Sequence, residues 1–175
     1  MKRQITPQPI RNPLARWITL GVSSGLGLGY APVAPGTFGS LLGIPLGLYL
    51  LTLPTWMVMV IFVGLFFVFA ALAERACLHW GQTDSGRVVS DEVLGQAIAI
   101  FGIRSVIHEG PVSQWIFVAV AFGLFRLFDI VKPFPAKTFD RQESGIGVIA
   151  DDVVAGLYAA LVVLAVSKIW LNQPI

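Results

Sequence analysis

Five apolar runs alternate along the chain with polar, glycine-rich or proline-rich segments: 38–53, 55–73, 97–107, 112–128 and 153–171. A helix that crosses a bilayer needs about 20 predominantly apolar residues. The run after Pro54 meets that length, whereas the run before it is short and contains Pro45. The pattern predicts an all-α, polytopic membrane protein with about four to five apolar helices, some of them short or broken.

Composition supports the membrane interpretation. Of the 175 residues, 55% are apolar and 13% are charged, whereas soluble domains contain about 45–50% apolar and about 25% charged residues. We expect one domain over residues 1–175, with residues 1–16 as a basic arm on an anionic leaflet. The single cysteine, Cys77, excludes an intramolecular disulfide, and a net charge of +2 gives no indication of nucleic-acid binding.

The basic residues predict an orientation. If the N-terminal arm is cytoplasmic and the five runs all cross, every Lys and Arg except Arg104 and Lys168 lies on the cytoplasmic side. This bias agrees with the positive-inside rule. The same alternation brings acids from separate loops to that side: Asp84, Asp91, Glu92, Asp129, Asp140, Glu143, Asp151 and Asp152. We therefore predict a polar site on the cytoplasmic side.

The segment 125–155 carries much of this charge between two apolar runs. Arg126, Asp129 and Lys132 are spaced three apart, so they share a helix face if the helix extends that far. Pro133 disfavours helix at Lys132, which predicts that the helix ends there. Gly145 and Gly147 predict a tight loop before a last helix that opens at residues 151 and 152.

Carboxylates and cations in this arrangement suit a hard divalent cation and a phosphate. Mg²⁺ takes carboxylate, water and phosphate oxygens, and Lys or Arg neutralises phosphate charge. Asp91 and Glu92 are adjacent, about 100° apart on a regular helix, so we expect one to reach the site and the other to cap a helix or pair with a cation. The alternative is simple charge pairing, either of Arg126 with Asp129 or within the group Asp140, Arg141 and Glu143.

Residues 21–40 contain too many glycines and prolines for a continuous helix. One interpretation is a loop whose backbone N–H groups, with the hydroxyls of Thr37 and Ser40, face a phosphate at the start of the next helix. The other is close packing of membrane helices through small residues. The stretch taken alone favours packing, since it contains neither a Walker motif nor a dinucleotide-binding fingerprint.

Four ordered motifs resemble those of the phosphatidylglycerophosphatase A family. They are APGTFGS at 34–40, DEVLG at 91–95, FRLFDIVKPFP at 125–135 and GIGVIADDVVAG at 145–156. The resemblance covers about residues 20 to 160; Ser144 and Ala150 depart from the usual family residues, and neither is a carboxylate. It implies an all-helical, Mg²⁺-dependent enzyme of the bacterial inner membrane that removes the terminal phosphate of phosphatidylglycerophosphate to give phosphatidylglycerol.

For such an enzyme, metal-assisted hydrolysis of a phosphomonoester is the expected mechanism. Asp91, Asp129, Asp151 and Asp152 are the candidate Mg²⁺ ligands, and Glu92 is a further ligand or the base that orients the attacking water. The candidate phosphate-binding groups are the Arg126 and Lys132 side chains and the backbone around Gly36 and Thr37. A covalent aspartyl-phosphate is the alternative to direct water attack. The sequence has no Cys-x5-Arg phosphatase loop, and no motif surrounds His79.

Two other functions fit parts of the pattern. A Mg²⁺-dependent transferase acting on lipid diphosphates would also use clustered aspartates, and the release of inorganic phosphate separates the two reactions. An ion-coupled transporter would use broken helices and buried charges. It predicts acids near the middle of the bilayer, whereas here they cluster at one boundary, and the sequence contains no visible inverted repeat.

Overall fold

The computed structural model describes residues 4–107, 109–139, 142 and 144–171, and the regular elements in these ranges are helices. Outside the described residues lie His108, the arm residues Lys2 and Arg3, and any pairing of Asp140, Arg141 or Glu143. Short 3-10 turns occur at Leu28–Tyr30 and Gly102–Ser105. The helices are α1 (Pro13–Ser23), α2 (Pro35–Leu50), α3 (Thr55–Trp80), α4 (Ser90–Phe101), α5 (Pro111–Val131), α6 (Ala136–Phe139) and α7 (Gly145–Leu171).

Prolines mark three of the helix starts. Pro13, Pro35 and Pro111 occupy the first position of α1, α2 and α5, where the missing N–H removes no helical hydrogen bond. In α1 the Asn12 side chain also caps the helix by accepting a hydrogen bond from the Ala15 N–H at 3.1 Å. Several of the prolines that interrupt the apolar pattern therefore fix where helices begin.

Two predicted boundaries were wrong. Helix α3 continues past residue 73 to Trp80 and ends at Gly81, whose φ of 70° is left-handed. Helix α7 begins at Gly145, so residues 151 and 152 lie in its second turn and do not open it. The reason is packing, since a Cβ at Gly145 would overlap the Ala70 backbone of α3. Glycine is needed there for close contact between helices, and not for a loop.

Within the described ranges, three helices are long and apolar enough to cross a bilayer. These are α3, α5 and α7, with mean hydropathies of 2.7, 1.7 and 2.1 over their most apolar windows. Helices α2 and α4 have 16 and 12 residues, and are therefore only about 24 and 18 Å long. The all-helical prediction is confirmed, whereas the number of crossings remains a prediction.

Helix α4 lies in the centre of the fold. Its residues 93–100 are all buried. On one side Gly39, Gly43 and Gly47 of α2 lie against α4 so closely that a Cβ at Gly43 would reach 2.7 Å from the Gln96 Cβ. On the other side, Gly156 of α7 lies against the α4 backbone. The packing interpretation of the glycine-rich stretch is therefore correct for Gly39.

The apolar core surrounds this central helix in two clusters. One joins α4 to α5 and α7 and includes Ile100, Phe125 and Val163, which are fully buried. The other joins α4 to α3 and α7 and includes Leu94 and Ile149. Because α4 is enclosed on both sides, its polar N-terminal turn is held rigidly relative to α5 and α7.

The helices share two common ends. Contacts along their length show that α2, α4 and α7 run in the same direction, with α3 and α5 returning between them. At the far end, Arg104 donates a hydrogen bond to the Leu53 carbonyl at 2.9 Å, which holds the α2–α3 turn. Trp56, Trp115 and Trp170 are exposed near that end, as expected of an interfacial aromatic belt. The near end holds the polar residues.

Candidate active site

Five segments meet in one cavity of about 230 Å³ at the near end of the helices. They are the first turn of α2, the loop after α3, the first turn of α4, the end of α5 and the second turn of α7. The predicted site residues that line the cavity are Gly36, Asp91, Glu92, Asp129, Lys132, Asp151 and Asp152. The convergence expected from helix alternation is therefore present.

Three carboxylates form the centre of the site. Asp91, Glu92 and Asp152 each offer an oxygen, and these oxygens lie within 4.8 Å of one another. Asp129 lines the same cavity beside these three carboxylates. The expectation that only one of Asp91 and Glu92 reaches the site was wrong. At the first turn of α4 their side chains extend far enough to converge despite their different directions.

The cations are held by the remaining acids. Lys132 ends α5 in a left-handed conformation, with φ of 46°, and its Nζ pairs with the Asp151 carboxylate. This confirms the predicted end of the helix. Arg126 pairs with Asp129 at 2.8 Å, three residues along the same face, and also donates to the Ser40 hydroxyl at 3.3 Å. Each cation therefore neutralises an acid at the edge of the site.

Burial and repulsion determine the electrostatics of the acidic centre. Burial raises the pKa of the Asp91 carboxyl well above its usual value, and the neighbouring Glu92 charge raises it further. Burial likewise raises the pKa of Glu92. The Asp91 Oδ1 and Glu92 Oε2 atoms are buried and have no hydrogen-bond partner among the described residues. Two buried, unpartnered carboxylate oxygens are costly unless a cation binds them.

The donor set fits a hard divalent cation. Its ligands would be carboxylate oxygens from α4 and α7, which are the ligands that Mg²⁺ and similar ions prefer. Asp91, Glu92 and Asp152 are close enough to share one ion, and the unpartnered oxygens of Asp91 and Glu92 would gain a partner. Asp151, paired with Lys132, borders this group.

Helix α2 brings Gly36 to the cavity but places Thr37 differently. Gly36 is the second residue of α2, and an N–H in this first turn has no acceptor within the helix. The Thr37 N–H already donates to the Ala34 carbonyl at 2.9 Å, and Thr37 is absent from the cavity wall. Of the two predicted backbone donors, only Gly36 is positioned at the cavity.

The chain was compared with known protein families and with individual known proteins, and the matched range includes the site. The family described as Phosphatidylglycerophosphatase A matches residues 21–167, a range that includes every residue lining the cavity. The chain belongs to the phosphatidylglycerophosphatase A family. The Haemophilus influenzae protein named Phosphatidylglycerophosphatase A is 38% identical over 89% of this chain and 94% of its own length. The Escherichia coli protein of that name is 34% identical over 88% of this chain and 85% of its own length.

Another relative has a different name. A Bacteroides thetaiotaomicron protein named Putative phosphatidylinositol-3-phosphatase is 36% identical over 84% of this chain and 91% of its own length. No solved structure gave a significant match. The names of the relatives that resemble this chain thus refer to different lipid headgroups.

Several site residues of this family member were not predicted from its sequence. Ser85 and Gln142 line the cavity, as does Asp84, which was predicted only to lie on the same side as the other acids. The Ser40 hydroxyl, which was predicted to face a phosphate, accepts a hydrogen bond from Arg126. Gln96 is fully buried one turn after Glu92, and neither of its amide atoms has a hydrogen-bond partner among the described residues. The i, i+4 spacing of Glu92 and Gln96 could have indicated Gln96 from the sequence, because this spacing puts both polar side chains on one helix face.

Replacing Gly36 with alanine is expected to lower activity without lowering stability. The added Cβ would overlap the Glu92 carboxylate, and this flexible group would turn away from the other two acids. Alanine is more favourable than glycine in a helix by about 1 kcal/mol, so the substitution should not lower the stability of the protein. We expect phosphatase activity to fall about 10-fold or more, measured with the thermal midpoint of the same sample.

The control is Gly64→Ala in α3, where a Cβ would meet nothing within 4 Å. This variant should keep full activity. A Gly36→Ala protein with wild-type activity would show that the position of Glu92 is unimportant.

Proposed function

We propose that the chain hydrolyses the terminal phosphate of phosphatidylglycerophosphate to give phosphatidylglycerol and inorganic phosphate. The observation that carries this proposal is the convergence of Asp91, Glu92 and Asp152 within 4.8 Å beside Lys132, in one cavity. Such a cavity suits a phosphomonoester and a divalent cation together. The family to which the chain belongs supplies the substrate class, and a match over residues 21–167 supports one catalytic domain.

The cation in this proposal is Mg²⁺, held by Asp91, Glu92 and Asp152 with Asp129 at the edge of the set. Bound there, it would polarise the phosphoryl oxygens and neutralise their charge. Asp151 was also a predicted ligand, and its pairing with Lys132 favours a role in holding that lysine. Glu92 remains a candidate both for a ligand and for the residue that orients water.

The chain's own residues would bind and orient the phosphate. Lys132 projects into the cavity and would neutralise a phosphoryl oxygen, while the Gly36 N–H adds a neutral donor. Arg126, held by Asp129 and Ser40, would sit beside the phosphate. Water then attacks phosphorus, the bond from phosphorus to the glycerol oxygen breaks, and that oxygen takes a proton to become the product hydroxyl. An attack by a carboxylate is the alternative first step.

The proposed setting is the bacterial inner membrane, with several crossings and the site facing the cytoplasm. Helices α3, α5 and α7 support the crossings, and the basic residues near the site end support the orientation. The lipid's acyl chains would remain in the bilayer while its headgroup enters the cavity. Acids gathered at one end of the helices also favour an enzyme over an ion-coupled carrier, which would hold them near the middle.

Phosphate release by the purified protein tests this function. With phosphatidylglycerophosphate and Mg²⁺ we expect inorganic phosphate and phosphatidylglycerol in equal amounts, and with EDTA we expect activity to fall to background. Phosphatidylinositol 3-phosphate, chosen from the name of the Bacteroides relative, should be hydrolysed more slowly. Release that is unaffected by EDTA would contradict the metal proposal. Transfer of phosphate to another lipid, with none released, would favour the transferase.

A further inference from the structure

A second cavity lies apart from the active site, between α1 and the last turns of α3. Its volume is about 660 Å³, and it shares no lining residue with the catalytic cavity. Its wall is mainly apolar and aromatic, and two basic side chains are part of it. We call it the α1 groove. The residues that matter here are Arg16, Trp17, Leu20, Tyr30, His79 and Trp80.

Helix α1 has its apolar side facing outward. Leu14, Trp17 and Ile18 are 69%, 74% and 52% exposed, whereas Thr19 and Ser23 are buried. The helix has 11 residues and is about 16 Å long, which is too short to cross a bilayer. An apolar outer face on a helix of this length suits the interface of the membrane, where the helix lies flat. The α1 groove therefore opens towards lipid.

The basic groups of the groove lack acidic partners. Neither Arg16 nor the adjacent Arg87 forms an ion pair with any acid among the described residues. The Arg87 guanidinium stacks over the Tyr30 and Trp80 rings at 5.8 and 5.6 Å. His79 accepts a hydrogen bond from the Ile10 N–H at Nδ1, over 3.1 Å. When the ring is neutral its hydrogen is therefore on Nε2, which is a donor.

We infer that the α1 groove binds one anionic diacyl phospholipid of the bilayer at a site separate from the catalytic cavity. Its phosphate lies by Arg16 and His79, and one acyl chain follows Trp17 and Leu20. Charge complementarity supports an anionic headgroup, since Arg16 forms no ion pair with an acid in the part of the chain that the structure describes. The apolar wall supports a lipid over a soluble anion, which would leave that surface uncovered.

The groove is connected to the active site through the chain between α1 and α2. The Val89 N–H donates to the Ser23 carbonyl at 2.8 Å, and Gly29 lies against the backbone of Arg87. Residues just before Val89, among them Ser85 and Val88, line the catalytic cavity. A lipid in the α1 groove would therefore stabilise one wall of the active site without touching the substrate phosphate.

Native mass spectrometry of the full-length protein in detergent tests lipid binding without turnover. Phosphatidylglycerol is the probe, and phosphatidylcholine is the neutral comparison. The wild type should retain one phosphatidylglycerol, and Arg16→Gln should bind it at least about 10-fold more weakly. Arg11→Gln is the matched control, because Arg11 is exposed on the same arm and does not line the groove. Neither variant should change the thermal midpoint of lipid-free protein.

Each other outcome would overturn the inference. Equal losses in the Arg16 and Arg11 variants would indicate general attraction to a basic surface. Equal retention of phosphatidylglycerol and phosphatidylcholine would indicate apolar contact alone, and displacement by glycerol 3-phosphate would indicate a site for a soluble anion. Absence of retained lipid in the wild type would remove the site. Since no outcome requires hydrolysis, failure here leaves the proposed function standing.

Discussion

Replacing Asp152 with asparagine is expected to lower the rate of phosphate release about 10³-fold. Asp152 is only 3% exposed, and its carboxylate meets those of Asp91 and Glu92 from a different helix. Asparagine has the same shape but lacks the charge that would hold a divalent cation and offers an amide donor in place of one oxygen. The measurement is inorganic phosphate release at saturating Mg²⁺, and Asp91→Asn should behave alike.

The thermal stability of the Asp152→Asn protein should rise, although its rate of phosphate release falls. Without a bound cation, three crowded carboxylates repel one another in a partly buried site. Removing one of the three charges should therefore stabilise the folded protein. In EDTA we expect the Asp152→Asn protein to unfold at a higher temperature than the wild type. A purely structural acid would behave differently, because its loss would lower stability and activity together.

Glu109→Gln is the control for this experiment. Glu109 is exposed just before α5, at the end of the helices opposite the cavity, and its neutralisation should leave the rate unchanged. If Asp152→Asn retains more than about a tenth of the wild-type rate, the acidic centre is not the catalytic site.

The convergence of the acids could be predicted because it depends on coarse features. Apolar runs that cross and return bring alternate loops to one end, whatever their packing, and this was enough to group Asp91, Asp129 and Asp152. The end of α5 at Lys132 was also predictable, because Pro133 acts locally on the residue before it. Such predictions need only the order of the elements and short-range steric effects.

Glycine was the main source of error. Gly145 and Gly147 occur in a polar stretch, where glycine usually indicates a turn, yet both lie in the first turn of α7. The role of Gly145 depends on a neighbour remote in sequence, the Ala70 carbonyl. The burial of α4 could not be predicted from the sequence for a related reason. In a membrane protein, apolar residues face the lipid as well as the core. Hydrophobic periodicity therefore cannot identify the central helix.

Side-chain reach was the other missing information. Adjacent residues on a helix point about 100° apart, which suggested that Asp91 and Glu92 serve different purposes. In the structure both bring an oxygen to the same centre, because each side chain at the first turn of α4 is long enough to reach the cavity from its own direction. Likewise, the hydrogen bond from Arg126 to Ser40 joins residues 86 positions apart, and no local pattern indicates it.

Replacing Gly156 with leucine is expected to destabilise the protein by about 3 kcal/mol and to abolish most activity. A Cβ at Gly156 would overlap the Gly95 carbonyl, and one at Gly95 would come within 2.6 Å of the Asp152 carbonyl. Helices α4 and α7 thus meet backbone to backbone, and neither surface has a side chain that can move aside. Gly95 is one turn after Asp91, and Gly156 is one turn after Asp152. This contact therefore sets the distance between the two acids.

The matched variant is Gly123→Leu in α5, where a Cβ would meet nothing within 4 Å. It makes the same chemical change in an apolar helix and should preserve both the thermal midpoint and phosphate release, since leucine is the better helix former. The smaller Gly156→Ala should fall between Gly156→Leu and the wild type in both measurements. If Gly156→Leu and Gly123→Leu unfold at the same temperature, close contact between α4 and α7 does not hold the acids together. The spacing of the site would then depend on its bound cation, and EDTA should lower the thermal midpoint of the wild type.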